Sequence, residues 1–261
     1  MKKFLLVTLF TILSIAFLAA CGTSDDNATG SEEGTEEKKV LTMGTSADFP
    51  PFETIDAASG EYVGFDIDLA NAIADKLGYE LKIENMDFGG LISALQSERL
   101  DFIISGMSAT EERKKSVDFS MEYHKSGEMF VTLKDSGIKT LEDLEGKTVG
   151  VQLGSIQEEG AKKIKEETLK SLEISALNKA PELIQELKAG RIDAVYLDKT
   201  VAVGFIEELD LAGFDDPTEA SPGMAIAFAK GDELVDEFNK VLEEMKENGE
   251  LEKLQKQWME E

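Results

Sequence analysis

One helix–turn–strand unit occurs twice in the sequence. Residues 91–105, LISALQSERLDFIIS, and residues 183–197, LIQELKAGRIDAVYL, align without a gap, and the Leu-Ile pair, the second Leu, the Arg and the Asp coincide. In each copy, apolar residues three and four apart give way after a short polar turn to a continuous apolar run, the pattern of a helix feeding a buried strand. The copies lie too far apart for a solenoid repeat. They fit one unit used once in each of two α/β lobes.

The residues just beyond each strand set the chemistry. After the first strand, expected over 100–104, come Ser105, Gly106, Met107 and Ser108, then Thr110-Glu111-Glu112, which reads as a helix start leading to Arg113. Arg113 thus lies just beyond the C-terminal end of a sheet strand, where open α/β folds hold their ligands. With Ser108 as a nearby donor, its planar guanidinium suits a carboxylate, gripping both oxygens through parallel charge-assisted bonds. After the second strand, Asp198 takes the place that Gly106 holds after the first. One lobe offers a cation for a carboxylate and the other an anion for an ammonium, which are the two ends of a free amino acid.

The N-terminus reads as an export signal. Met1-Lys2-Lys3 is a basic start, and the apolar stretch 4–18 is too short and wrongly flanked for a membrane span. It ends in Leu18-Ala19-Ala20-Cys21, similar to a bacterial lipobox, in which the cysteine is lipidated. Cys21 is the only cysteine, so a disulfide scaffold is excluded and the thiol has a use as an anchor point. The expected layout is a signal peptide over 1–20 and a disordered acidic tether over 21–39, lacking the apolar residues to fold. The chain carries 53 acidic against 27 basic residues, which opposes nucleic-acid binding.

From Val40 onward strands alternate with helices, so a mainly parallel α/β sheet is expected. A first strand, 40–44, leads into Thr45-Ser46-Ala47-Asp48-Phe49-Pro50-Pro51-Phe52, where two prolines stiffen a loop carrying Phe49 and Phe52. Asp66 reads as the cap of a helix with Leu69, Ile73 and Leu77 on its buried face and Gly78 ending it. Asp87-Phe88-Gly89-Gly90 precedes the first repeat helix. Lys147 to Val151 is a strand, after which Gln152-Leu153-Gly154-Ser155 opens a helix whose free N–H groups and Ser155 hydroxyl suit a carboxylate. The tail from 233 is two helical segments around Asn248-Gly249, with Trp258 packed on the first lobe. His124 stands with no nucleophile elbow, and no Cys/His cluster suggests a metal or cofactor site.

Gly64-Phe65-Asp66-Ile67-Asp68-Leu69, with the stretches 45–52 and 105–113 and Asp198, resembles the family 3 extracellular solute-binding proteins, the amino-acid receptors of ABC importers. The resemblance covers 40–258. It implies a two-lobed, type II periplasmic-binding-protein-like α/β fold with two hinge strands and the ligand cleft between lobes. The first lobe is expected over 40–128 plus 221–261 and the second over 129–220. The resemblance also implies a role for each matching residue. Arg113 and Ser108 hold the ligand's α-carboxylate together with the Ser155 turn, and Asp198 and the Gly106 carbonyl hold its ammonium. Phe49 and Phe88 sandwich its side chain, and Gln152, Ser46 and Asp48 read the far end, with Asp87 and Glu122 nearby in sequence. Ile156 stands where relatives often carry a second hydroxyl, so its side chain is left out. Relatives that prefer strongly basic ligands can carry an acid where Ser46 stands, so its absence here weakens a lysine or arginine preference. Two aromatic faces still favour a guanidinium or imidazolium through cation–π attraction, and a neutral polar ligand such as glutamine fits as well. The class implied is a polar amino acid such as arginine, histidine or glutamine. Implied partners are a membrane permease with its ATPase subunits and the membrane surface through the lipid anchor. The protein itself is expected to be a monomer without cofactor or turnover. A sensing surface lipoprotein, or a lyase on the same fold, is the alternative.

Overall fold

The structure is a computed structural model that describes residues 39–218 and 221–259. The expected signal peptide, Cys21 and, up to residue 38, the tether lie outside the described residues.

Two five-stranded sheets organise the chain. In the first, β1 (Val40–Thr45) pairs in parallel with β4 (Glu80–Asn85) and β5 (Phe102–Ile103). Next come β12 (Ala227–Phe228), antiparallel to β5, and β6 (Asp118–Phe119), antiparallel to β12. In the second, β8 (Thr148–Gln152) pairs in parallel with β9 (Glu173–Leu177) and β10 (Ala194–Asp198). Then β7 (Glu128–Thr132) runs antiparallel to β10, and β11 (Ala212–Asp215) antiparallel to β7. A short hairpin joins β2 (Thr54–Ile55) to β3 (Tyr62–Val63). The sheets are therefore mixed, and the expectation of mainly parallel pairing holds only for the β4-β1-β5 and β9-β8-β10 halves. The chain passes from the first sheet to the second between β6 and β7 and returns between β11 and β12, so the antiparallel strands adjoin both passes.

The sequence repeat extends further in space than in sequence. Asp101 accepts the Thr42 N–H at 2.6 Å and donates its own N–H to the Thr42 carbonyl at 2.9 Å. Asp193 does the same with Thr148, at 2.9 and 2.8 Å. The repeated Asp thus locks each β5 or β10 unit onto the strand beside it. Beside those threonines lie Gly44 and Gly150, where a Cβ would meet Leu100 and Leu91 in one lobe and Ile192 and Leu183 in the other, the same repeat positions. The turn residues Glu98 and Gly190 also match, with φ of 57° and 67°.

Helices cover the sheets. They are α1 (Phe65–Leu77), α2 (Leu91–Gln96), α3 (Ile156–Glu167), α4 (Ala180–Lys188), α5 (Lys199–Leu209), α6 (Leu234–Glu247) and α7 (Glu250–Met259). Phe238 of α6 sits 5.0 Å, centroid to centroid, from both Phe102 and Phe228. In the second lobe Phe130 and Tyr196 stack at 4.2 Å. Trp258 packs on the first lobe as expected, donating its indole N–H to Asp68 at 2.8 Å.

Asp66 does not cap α1. The cap position is Gly64 at φ 134°, and Asp66 lies inside the helix, fully buried, with its carboxylate turned toward Gly106. Gly64 is required there, because a Cβ would fall 2.2 Å from the Phe52 carbonyl oxygen. Gly64→Ala is expected to destabilise by at least roughly 1–3 kcal/mol from backbone strain alone, read as a lowered melting temperature.

Candidate functional site

The C-terminal ends of the parallel strands in both sheets face a common cavity. Every residue expected to touch a ligand lines it. Ser46, Asp48 and Phe49 come after β1, Phe88 sits in a 3₁₀ turn after β4, and Gly106, Ser108 and Arg113 come after β5. Gln152 ends β8, Ser155 precedes α3, and Asp198 ends β10.

Arg113 lies in a 3₁₀ turn, Arg113–Lys115, after a loop held by the Thr110 hydroxyl, which accepts the Arg113 N–H at 3.2 Å. Its guanidinium donates to the Ser108 carbonyl at 2.9 Å and, across the cleft, to the Gly154 carbonyl at 3.0 Å. The ring of Phe88 lies 5.3 Å from it, a cation–π contact. Burial pulls Arg113 down to about 10, with Glu159 opposing, so it stays cationic at neutral pH. Two of its five donors are engaged by these carbonyls, leaving others for a ligand.

Across the cavity Asp198 is 3% exposed and also caps α5, accepting the Thr200 N–H at 2.8 Å. Burial raises its carboxyl to about 6, against hydrogen bonds from Thr200, Ser126 and Val201 that favour the charged form. It is thus an anion at neutral pH whose desolvation leaves it seeking a cation. Ser155 caps α3, with its oxygen accepting the Glu158 N–H at 3.1 Å, so its hydroxyl proton remains to donate. Ile156, left out from sequence, lines the wall as an apolar neighbour.

The far end is acidic. Asp48 Oδ1 accepts the Ser46 hydroxyl at 3.2 Å and the Gln152 amide at 3.4 Å, while Oδ2 is buried with no hydrogen-bond partner among the described residues. Burial raises Asp48 to about 6, with Ser46, Gln152 and Lys179 pulling the other way. Asp87 instead holds Asn178 of the second lobe at 2.9 Å, and Glu122 turns away to accept the Gly223 N–H at 3.1 Å. Neither lines the cavity.

Sequence reasoning missed Glu53, Ser105, Gln157 and Met224, all on the cavity wall. Glu53 comes directly after the Pro50-Pro51-Phe52 stretch and carries no local sign of burial, yet it is fully buried. Met224 is brought in by bridges to Ser108 and His124, which join residues a hundred positions apart. His124 itself packs edge-on to Phe52 at 5.2 Å, with Nε2 3.4 Å from the Thr200 hydroxyl, and burial lowers its pKa. It does not line the cavity.

The lobes meet at the lip through glycines. A Cβ on Gly154, at φ 79°, would fall 2.9 Å from the Gly89 Cα. Gly154→Ala is therefore expected to hold the lobes apart and weaken ligand binding at least tenfold in isothermal titration. The circular dichroism of the folded protein should be unchanged, because the close contact lies only between lobes.

The sequence profile of the bacterial extracellular solute-binding proteins, family 3, matches residues 41–261. The chain belongs to that family. It is 49% identical over 261 residues to the arginine-binding extracellular protein ArtP of Bacillus subtilis (strain 168), covering 99% of this chain and 98% of ArtP. Among solved structures it matches the substrate binding protein of an amino acid ABC transporter at 44% identity and TM-score 0.80, over 85% of this chain and 100% of that one. It also matches an ancestral arginine-binding protein bound to arginine at 44% identity and TM-score 0.79, over 85% and 98% of the two chains. The fold expected from the resemblance, two α/β lobes of the type II periplasmic-binding kind with a cleft between them, is the fold of this family 3 protein. As an extracellular solute-binding protein it is exported.

Proposed function

We propose that this family 3 protein captures a free L-amino acid with a cationic side chain, of the arginine class, and delivers it to an ABC importer. The observation that carries this reading is the orphan Asp48 Oδ2, buried on the cavity wall without a donor. A zwitterion's carboxylate meets Arg113, Ser108 and the Ser155 hydroxyl, and its ammonium meets Asp198 and the Gly106 carbonyl. Phe49 and Phe88 flank the side chain. Asp48 then remains as an unmatched anion at the far end, and a buried charge without a partner is costly. A guanidinium supplies both the charge and the missing donor, with Gln152 and Ser46 holding Asp48 in place. The arginine-binding relatives support the same class.

The mechanism is capture without turnover. The first lobe, 40–128 plus 221–261, carries Arg113 and Asp48, and the second, 129–220, carries Asp198 and Ser155, so a ligand joins both sets only when the lobes meet. It favours closure by that differential contact, and the closed form is what a permease with its ATPase subunits recognises. One chain supplies every group of the site, which suits a monomer. The lipobox-like 18–21 stretch supports an anchor at Cys21, with the acidic stretch to 39 as the tether from the membrane surface.

The test is isothermal titration of the unfolded and refolded protein, stripped of carried-over ligand, against L-arginine, L-lysine, L-histidine and L-glutamine. Arginine is expected to bind most tightly, and Asp48→Asn to weaken arginine at least tenfold more than glutamine. Equal loss for both ligands would remove Asp48 from the role, and consumption of the bound amino acid would replace capture with catalysis.

A further inference from the structure

At the cavity wall Glu53 lies beside the buried Asp66, and neither carboxyl has a cationic partner among the described residues. Asp66 Oδ2 accepts the Gly106 N–H at 2.7 Å and the Tyr123 hydroxyl at 2.9 Å, while its Oδ1 is buried without a donor. Glu53 Oε1 accepts the Ser105 hydroxyl at 2.8 Å, while its Oε2 is likewise buried without a donor. Both residues are fully buried, and the backbone brings them together: the Asp66 N–H donates at 2.9 Å to the carbonyl of Phe52, next to Glu53, while the two side chains hold the adjacent Gly106 N–H and Ser105 hydroxyl. Two acceptor-only carboxylates have no donor to share; one proton held between them gives both orphan oxygens a partner and removes one of two adjacent buried charges. Asp66 has two further donors that favour its ionised form and Glu53 has one, so the proton belongs to Glu53.

We infer that Glu53 and Asp66 form a proton-sharing pair beneath the Ser105–Gly106 turn, and that Glu53, held as the acid, is a positioning residue for the ligand site. The pair fixes three points of the cavity wall together. Asp66 ties down the amide of Gly106, which sits at φ 52° against the Phe49 ring. Glu53 holds the Ser105 hydroxyl, and that hydroxyl accepts the Ser46 N–H at 2.9 Å, joining the end of β5 to the end of β1. The groups facing Glu53 are Asp66 from α1, Asp48 from the β1 loop and Tyr123 from the stretch before β7, with His124 beyond Phe52 and Phe65. The first two are acids that oppose ionisation of Glu53, and burial acts in the same direction, holding it well above the ordinary carboxylate range. When the proton leaves in alkali, two buried anions face each other and the Ser105–Gly106 turn is pushed out of register.

This inference rests on the cleft being the amino-acid site, and the experiment separates the two. Arginine affinity is measured by titration from neutral to alkaline pH for the wild type, Glu53→Gln and Glu53→Ala. Glutamine's amide donates to Asp66 and its oxygen still accepts from Ser105, so Glu53→Gln is expected to bind far better than Glu53→Ala. It should also lack the alkaline fall seen in the wild type. The ligand's own ammonium titration is common to all three and cancels in the ratio. Independently of any ligand, the infrared difference spectrum of wild type minus Glu53→Gln at about pH 8 should show the C=O stretch of a protonated carboxyl, a group whose ordinary pKa is near 4.3. An alkaline limb unchanged in Glu53→Gln, or the absence of that band, overturns the pair. Failure of the wild type to bind arginine, with the band present, overturns the ligand assignment and leaves the pair standing.

Discussion

Arg113→Ala is expected to abolish measurable binding of L-arginine at concentrations that saturate the wild type. The loss has two sources. A ligand carboxylate taken out of water would face no cation, which costs roughly 2–5 kcal/mol for a buried charge pair cut on one side. The alanine also deletes the bridge from the guanidinium to the Gly154 carbonyl, one of the polar ties between the lobes. Arg113→Lys keeps the charge and gives up the planar fork and the stacking on Phe88, so it should fall between wild type and alanine. Isothermal titration of the three proteins decides this. Affinity of Arg113→Ala within about threefold of wild type, a difference of only ~0.7 kcal/mol, would place the carboxylate elsewhere.

Acidification is expected to change stability and affinity in opposite directions. Asp48 and Asp198 are raised from 3.8 to about 6, and Glu128 from 4.5 to about 8, in each case chiefly by burial. Between the unfolded and folded values the native state holds protons that the unfolded chain has released. Stability therefore falls as pH rises through that window and recovers as pH is lowered. The formal charge of −26 adds self-repulsion that acid also relieves. The ligand-free protein should melt at a higher temperature near pH 5 than near pH 8, each aspartate contributing on the order of 1 kcal/mol over that interval and Glu128 on the order of 3 kcal/mol. Ligand binding needs Asp198 ionised to accept the ammonium. Below about 6 each pH unit should then weaken arginine by up to about tenfold, more if Asp48 also takes up a proton. Melting curves of the free protein and titrations in matched buffers would show both trends. Stability and affinity falling together on acidification would mean that these carboxyls are ionised and paired in the free protein.

The groups proposed to meet a ligand's two poles are legible in the sequence for a definite reason. In an α/β lobe, the residue after a parallel strand is placed by the strand itself, so a repeat found by spacing also locates the groups at its end. Arg113 and Asp198 come from that rule, and both line the cavity. The family resemblance supplies the pairing of the remaining eight residues, and they too line it. Asp66 departs from its local reading, in which an acid before an apolar-periodic run is a cap. The chain instead caps the helix two residues earlier, on Gly64, whose φ of 134° no side chain tolerates well. Glu53 is illegible because nothing adjacent to it signals burial, and Met224 because the apolar run it opens signals burial alone, while the bridges that bring it to the cavity join residues a hundred positions or more apart.

The sequence by itself determined the two-lobed plan and the polarity of the site. Hydrophobic period, the repeated Asp and the residues after each strand are local features, and short-range sterics act on them directly. The tertiary structure alone decided what those residues feel. Asp48 reaches Gln152, Gly154 reaches Gly89 and the Arg113 guanidinium, and Glu53 reaches Asp66 and Ser105. Apart from Glu53 and Asp66, these contacts join residues more than forty positions apart. Burial then turns ordinary carboxylates into groups held near neutrality, a property of surrounding dielectric and of missing donors, which no local pattern of residues encodes.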